Sequence, residues 1–575
     1  MNLKKLLPAA RQEEKCDTLF KNAKIANLYT MEYEEADIAV KDGIIIGVGE
    51  GYEGRETIEC AKKIIAPGFI EGHIHVESTF MLPQNLAAAV APLGTTTMMP
   101  DPHEIANTCG AEGVRFMERE SRGLPIDFYY GAPSCVPASA HETPFEPIEA
   151  DEIKELLADG SCTHLGEMMN FPGVFLGDCG VWAKLDAASD VVITGHAPTL
   201  SGPLLCSYLL GGVTSDHECA SKEEALEKLR RGLYLMIREG ATARNLKALA
   251  PILADAPYLA DRCLAVSDDI SPDFIRERGH LNGCLKKLIE CGVPPLAALR
   301  TITLTPAEYF RLHDRGAVAP GKIADLVMMP SLESGRVEKV WKNGRLVAEN
   351  GKLTASLDAK IPAELPGNRK QIKTPHPEEL RVKIPDDASK INIIETVPGQ
   401  VFTKTAVAAP RDENGFACAD AANDTAKMTV VEKNRGTGKF STGFIKGLGL
   451  KRGAIASSVA HDAHNYTCAG MDDVSMAAAL AELARIKGGV VIADGEKILA
   501  ELELPVGGLI SLLDAEALCE KTAELAAARE ALGCRNPHVM MQLSFMSLTV
   551  IPELKLTDQG YYDISAGGEK PLFMR

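Results

Sequence analysis

The stretch Pro67-Gly68-Phe69-Ile70-Glu71-Gly72-His73-Ile74-His75 ends an apolar run in two histidines two residues apart. In an extended strand, residues i and i+2 share a face, so His73 and His75 can offer both imidazoles to one metal ion. Two partly exposed strand histidines are the plainer alternative. Single histidines also stand where other short apolar runs end: His196 after Val191-Val192-Ile193-Thr194-Gly195, and His217 after Gly212-Val213-Thr214-Ser215-Asp216. Leu264-Ala265-Val266-Ser267 ends in the acidic pair Asp268-Asp269. The parallel strands of a barrel deliver their C-terminal residues to one mouth, and His73, His75, His196, His217 and Asp268 would meet there. Two divalent ions held by such a set repel each other and need a shared anionic ligand. Glu167, in Thr163-His164-Leu165-Gly166-Glu167-Met168-Met169-Asn170, is the candidate bridge, because a charge among apolar residues is otherwise an unexplained cost. Imidazole and carboxylate donors without thiolate admit Zn²⁺, Fe²⁺ or Mn²⁺.

The elements that must position these groups follow from the hydrophobic rhythm. From Ala66 to Val318, short apolar runs alternate with helical stretches such as Ser221 to Arg231. That is the pattern of repeated βα units, and about 250 residues is typical of one (β/α)₈ barrel. The first 65 residues read as short strands, with Asp42-Gly43 as a hairpin turn. A second β-rich stretch, Ala324 to Met329 and Val337 to Val347, carries the turn Asn343-Gly344. The two half-sheets bracket the barrel, which predicts a composite β-sandwich domain from residues 1–65 plus 318–363 and a barrel over 66–317. A segment rich in proline and charge, 364–390, reads as a linker. Beyond it, 391–575 reads as an α/β domain. Its expected elements include a helix near Met471 to Lys487, a strand at Val490 to Asp494 and a helix near Asp514 to Leu532.

The 575 residues carry 61 Lys and Arg against 79 Asp and Glu, a net charge of −18 with no long basic run, so nucleic acid and anionic membrane surfaces are poor partners. Hydrophobic residues at 46% and charged residues at 24% fit a folded globular chain rather than a disordered or fibrous one. The N-terminus lacks a signal-peptide core and no segment approaches ~18 consecutive apolar residues, which predicts a cytoplasmic protein. Fifteen cysteines, an odd total without a Cys-x-x-Cys pair, suit reduced thiols.

Further motifs are Pro67 to Ser78, Gly94 to Asn107, Pro133 to Pro137, Gly166 to Val174, Ser215 to Glu218, Ala243 to Leu246, Ser267 to Asp269, Ala460 to Asn465 and Leu548 to Asp558. On these motifs the chain resembles, essentially end to end, the bacterial-type adenine deaminases of the amidohydrolase superfamily. The match in the last domain separates it from dihydroorotase and hydantoinase relatives. The resemblance implies hydrolysis of adenine to hypoxanthine and ammonia by a metal-bridged hydroxide, in purine salvage. It implies that His73, His75 and Asp268 hold one ion and His196 and His217 the other, with Glu167 standing where many relatives have a carboxylated lysine. Mn²⁺ or Fe²⁺ is favoured and Zn²⁺ admitted.

Asp268 would carry the proton from the attacking hydroxide to the leaving amine. Attack at C6 drives charge onto N1, for which Glu104, His103 and His280 are candidate proton donors. Glu104 reads equally as a first-turn acid of a helix. Asp101, Ser134, Arg244 and His280 are expected near the substrate, a surface role for Arg244 being as good a reading. His461 and His464, spaced i and i+3, suit one helical face. Gly436-Thr437-Gly438-Lys439 lacks the spacing of a phosphate loop. The expected partner is the small molecule adenine, and the chain is expected to form a homo-oligomer, a dimer. The alternatives are a cyclic amide hydrolase of the same superfamily and a catalytically silent oligomeric scaffold.

Overall fold

Five strands precede the barrel: β1 Cys16–Asn27, β2 Glu32–Lys41, β3 Ile44–Val48, β4 Gly54–Glu59 and β5 Ile64–Pro67. Nine more form its wall: β6 Phe69–Ile74, β7 Thr95–Pro100, β8 Asp127–Phe128, β9 Gly131–Ala132, β10 His164–Met168, β11 Ile193–Gly195, β12 Ser215–Asp216, β13 Tyr234–Arg238 and β14 Cys263–Val266. Four follow: β15 Leu326–Met329, β16 Lys339–Lys342, β17 Arg345–Glu349 and β18 Lys352–Leu353. The computed structural model describes residues 3–241, 244–355, 357, 361–367, 372–397 and 402–575. Ala243 of the sequence motifs and positions 368–371 of the proline-rich segment therefore lie outside the described residues.

The two β-rich stretches share one nine-stranded sheet, in the order β18-β17-β16-β15-β5-β1-β2-β3 with β4 on β1. Both turns named in the sequence are tight hairpins. Asp42 and Gly43 (φ 51° and 75°) and Asn343 and Gly344 (φ 51° and 74°) occupy the left-handed region that type I′ turns demand. The two tips meet: a Cβ on Gly43 would lie 2.8 Å from the Asn343 carbonyl oxygen.

The barrel strands run parallel in three hydrogen-bonded groups, β6-β7-β8, β9-β10-β11 and β12-β13-β14. β8 and β9 flank Tyr129-Tyr130 and act as one interrupted strand: Tyr129 N–H donates to Met98 of β7, and the Tyr130 carbonyl accepts from Thr163, the residue before β10. Parallel bridges between Ile193 and Val213 and between Ile74 and Asp268 join the groups and close the ring. Met99, Val192, Met236, Leu264, Val266 and Phe310 are packed together inside it. The amphipathic helix Leu281–Glu290 turns Leu281, Leu285 and Leu288 onto the outer face, alongside Phe69 and Ile237.

Beyond residue 389 a second nine-stranded sheet, with Thr425–Val431 near its middle, is covered by the helix Asp473–Arg485. One buried apolar cluster runs from Ile74, Leu86 and Ile105 of the barrel to Val506, Leu518 and Leu543 of this last region, so the two are docked through a shared core. Ile372 and Leu380, in the stretch read as a linker, are buried against the same helix. All fifteen cysteines are free thiols, eleven of them buried. Among the described residues, no helix is long and apolar enough to cross a membrane.

Candidate metal centre

β6 reaches the mouth by approaching β14 closely. A Cβ on Gly72 would stand 2.8 Å from Leu264 Cδ2, and the register with β7 shifts between Glu71 and Ile74. The Asp268 N–H donates to the His73 carbonyl (3.0 Å), so the bond that closes the barrel also sets Asp268 beside the histidine pair. Asp268 holds a left-handed backbone (φ 58°), a conformation that aspartate tolerates better than most side chains. Its Oδ1 lies 3.1 Å from His75 Nε2 and 3.6 Å from His73 Nε2.

Glu167, next to last in β10, is held by its backbone. Its N–H donates to Asp101 Oδ2 (2.6 Å), and its carbonyl accepts from Ser134 Oγ (2.6 Å). A Cβ on Gly166 would sit 2.5 Å from that Asp101 oxygen, which explains the glycine before the glutamate. The side chain faces both histidine groups: Oε1 is 3.5 Å from His75 Nε2, while Oε2 is 2.9 Å from His196 Nδ1 and 3.0 Å from His217 Nε2. Behind β12, Lys228 is buried between Asp216 (2.9 Å) and the Ala197 carbonyl (2.6 Å), and Asp216 accepts from Ala197 N–H. That brace ties the segments carrying His196 and His217 together.

The arrangement suits cations. His196 Nδ1 and His217 Nε2 approach within 3.2 Å while facing the same carboxylate oxygen, and His73 Nε2 is buried without a hydrogen-bond partner. Burial alone would push the His75 and His217 imidazoles down. The Glu167 and Glu218 carboxylates instead raise His217 to about 10, and Asp268 and Glu167 hold His75 well above the usual histidine range. The field at this point favours positive charge, and divalent cations satisfy it while leaving the imidazoles neutral.

Two residues not singled out in the sequence belong here. Arg238, the last residue of β13, puts Nη1 2.7 Å from Asp268 Oδ2 and beside Glu218; Glu218 Oε1 is 3.3 Å from His217 Nε2. Burial would raise the Asp268 carboxyl, but the Arg238 guanidinium and the two histidines hold it well below the usual carboxylate range. The only sequence signal for Arg238 is a charge ending the apolar run Tyr234-Leu235-Met236-Ile237.

His103 and Glu104 open the helix His103–Glu120 at the same mouth. His103 Nδ1 is 3.3 Å from Asp101 Oδ1 and 3.6 Å from Glu167 Oε1; burial lowers it, yet Asp101 raises it to about 10. His75, His103 and Glu104 have polar atoms within 4.8 Å of one another. Burial, reinforced by charge from Glu77, holds Glu104 well above the usual carboxylate range. His461 and His464 also arrive, His461 Nδ1 at 3.4 Å from Glu104 Oε1. They lie in a turn and not on the helical face that their spacing suits.

Two expected neighbours of the substrate do not join this group. His280 is taken up by the wall, its Nδ1 2.8 Å from Thr95 Oγ1 and its Nε2 3.1 Å from Glu71 Oε2. Glu71 in turn accepts from the His73 and Ser267 N–H groups, so this pair braces β6 and β14 from the helix side. Arg244 is exposed, bonded to the Gly240 and Ala241 carbonyls and lying over the Phe274 ring, because its loop folds the guanidinium back onto itself.

Residues 64–347 match the amidohydrolase family profile and residues 400–567 the adenine deaminase C-terminal domain. An adenine deaminase of Dehalococcoides mccartyi is 40% identical over 98% of both chains, and one of Methanothrix thermoacetophila is 40% identical over 100% of both. An adenine deaminase 2 of Carboxydothermus hydrogenoformans is 41% identical over 99% of both. Among solved structures, a crystal structure of an adenine deaminase aligns with 58% of this chain at 16% identity and a TM-score of 0.45.

Proposed function

Because this chain belongs to the adenine deaminase family of the amidohydrolases, we propose that it hydrolyses adenine to hypoxanthine and ammonia at the mouth of its barrel. The observation that carries this reading is the convergence of His73, His75, His196, His217, Glu167 and Asp268 within contact of one another in a chain related over its full length to adenine deaminases. His73, His75 and Asp268 would hold one divalent ion and His196 and His217 a second, with Glu167 shared between them. Their nitrogen and oxygen donors suit Mn²⁺, Fe²⁺ and Zn²⁺. Such ions supply Lewis acidity and bring the ionisation of water down toward neutral pH.

The protein's own groups handle the protons. Asp268, kept ionised by Arg238, takes the proton that the nucleophile gives up on attacking C6 and delivers it to the amino nitrogen, which leaves as ammonia. Glu104, whose carboxyl burial and the charge of Glu77 hold well above the usual carboxylate range, donates to N1 as charge builds there. Asp101 and Ser134 act through Glu167, whose backbone they fix, and so are positioning residues. The chain divides into a β domain from 1–65 plus 318–363, the barrel over 66–317 and a C-terminal domain over 391–575, a division supported by the two separate sheets that flank the barrel.

The test is ammonia release from adenine by protein stripped of metal and reloaded separately with Mn²⁺, Fe²⁺ or Zn²⁺. Metal-dependent conversion to hypoxanthine is expected; turnover of cyclic amides in its place would overturn the reading. The proton assignment carries its own expectation. Glu104 works as a proton donor and its carboxyl is raised, so kcat/KM should fall as pH rises through its titration, at a higher pH than an ordinary carboxyl would give. Residual activity in Glu104→Gln should lack that alkaline fall. A wild-type alkaline limb that persists in the variant would remove Glu104 from the role.

A further inference from the structure

The turn from Ala460 to Asn465 belongs to the C-terminal region, yet it is fastened to the barrel mouth. Glu142, in the barrel loop after β9, accepts from the Asp462 and Ala463 N–H groups, and the Thr143 carbonyl accepts from Asn434 and Asn465 side chains. Inside the turn, His464 holds a left-handed backbone (φ 53°) and is fully buried. Its Nδ1 accepts the Ala460 N–H at 3.0 Å. A backbone N–H can only donate, so that nitrogen bears a lone pair and the proton of the neutral ring sits on Nε2. Nε2 is buried without a partner, 4.0 Å from Glu104 Oε2, and Glu104 Oε1 is likewise unsatisfied.

Glu104, His461 and His464 offer atoms within 4.8 Å of one another, which on spacing alone could hold a metal ion. The tautomer argues otherwise, because an Nε2 that carries a proton has no lone pair for a metal. It is a fixed hydrogen-bond donor beside Glu104, and an unused buried donor is costly unless a ligand fills it.

We propose that His464 Nε2–H, supplied by the C-terminal region, is a substrate-recognition donor that bonds N3 of the purine while Glu104 serves N1. This rests on the adenine reading above. N1 and N3 flank C2 on one edge of the ring, and the two side chains face the same space from neighbouring positions. N7 lies on the far side of the amino group. The C-terminal region thereby completes the site, selecting a ring with an unprotonated nitrogen at that position over a cyclic amide that carries an N–H there.

The variant His464→Asn isolates the donor. Asparagine tolerates the left-handed backbone, and its Oδ1 can still accept from Ala460 N–H, so what is lost is the reach of Nε2. On metal-loaded enzyme, kcat/KM for adenine should fall about 10- to 100-fold, the cost of one buried hydrogen bond to a ligand. The inhibition constant of 7-deazaadenine, which keeps N3, should rise to a similar extent, whereas that of 3-deazaadenine should stay as in the wild type. A rise for both analogues in equal proportion would overturn the proposal, as would loss of a metal ion from the variant. The wild type gives an independent check that needs no variant: it should bind 3-deazaadenine more weakly than 7-deazaadenine, and equal binding sinks the idea. Absence of adenine turnover by the wild type would instead count against the function itself.

Discussion

Asp268→Asn should lower kcat by about 10²- to 10⁴-fold, the range expected when a positioned proton carrier is removed, while the thermal unfolding of the protein changes little. Size and shape are kept, and the amide can still occupy the space between His75 Nε2 at 3.1 Å and Arg238 Nη1 at 2.7 Å. What disappears is a group able to accept a proton from water and release it to a departing amine. The backbone anchor also survives, since it is the Asp268 N–H that bonds the His73 carbonyl. Steady-state ammonia release on metal-loaded enzyme measures the effect, with metal content determined on the same sample to separate lost chemistry from lost metal. A variant that turns over at the wild-type rate would exclude Asp268 from proton transfer.

Glu167→Gln should cost metal first and rate as a consequence. Both carboxylate oxygens are engaged, Oε1 towards His75 and Oε2 towards His196 and His217, so Glu167 places its charge between the two histidine groups, where it offsets two mutually repelling cations. An amide offers one neutral oxygen in its place. After desalting, the variant should retain less metal than the wild type, and kcat should fall about 100-fold or more, as when a ligand or its support is lost. Elemental analysis beside turnover decides the matter, and a variant that keeps its full metal complement would show that Glu167 does not bridge. The fold should not suffer, because Asp101 and Ser134 hold the backbone of residue 167 and not its side chain.

The residues that converge at the mouth were legible because each stands at the end of an apolar run, and barrel geometry sends such ends to one place whatever their distance in sequence. The same rule found Glu167 as a charge out of keeping with its neighbours. It gave Arg238 no weight, since a basic residue closing a strand is ordinary until its partners, Glu218 and Asp268, are seen across the mouth. Nor could spacing bring His461 and His464 to Glu104. That contact joins a helix start in the barrel to a turn of the C-terminal region and depends on how Glu142 and Thr143 receive the turn. His280 was expected beside the substrate as a proton donor, yet the wall takes it up as the partner of the buried Glu71. Hairpins were legible for a local reason, as Asp42-Gly43 and Asn343-Gly344 carry the left-handed preference of the turn in the residues themselves.

The pairing of β5 with β15, from Ile64 beside Met329 to Pro67 beside Leu326, bears on how the chain is made. These partners are separated by roughly 260 residues, and a ribosome adding about 5–20 residues per second leaves the edge of β5 uncovered for about 13–50 s. Throughout that interval the nascent sheet is a template for any passing strand. The barrel shortens the hazard, since closing it returns the chain to within reach of β5 and replaces the search of a long loop by a short one. Translation that halts inside the barrel would release a chain with that edge open, so stalled products should be the aggregating species in cells that make this protein.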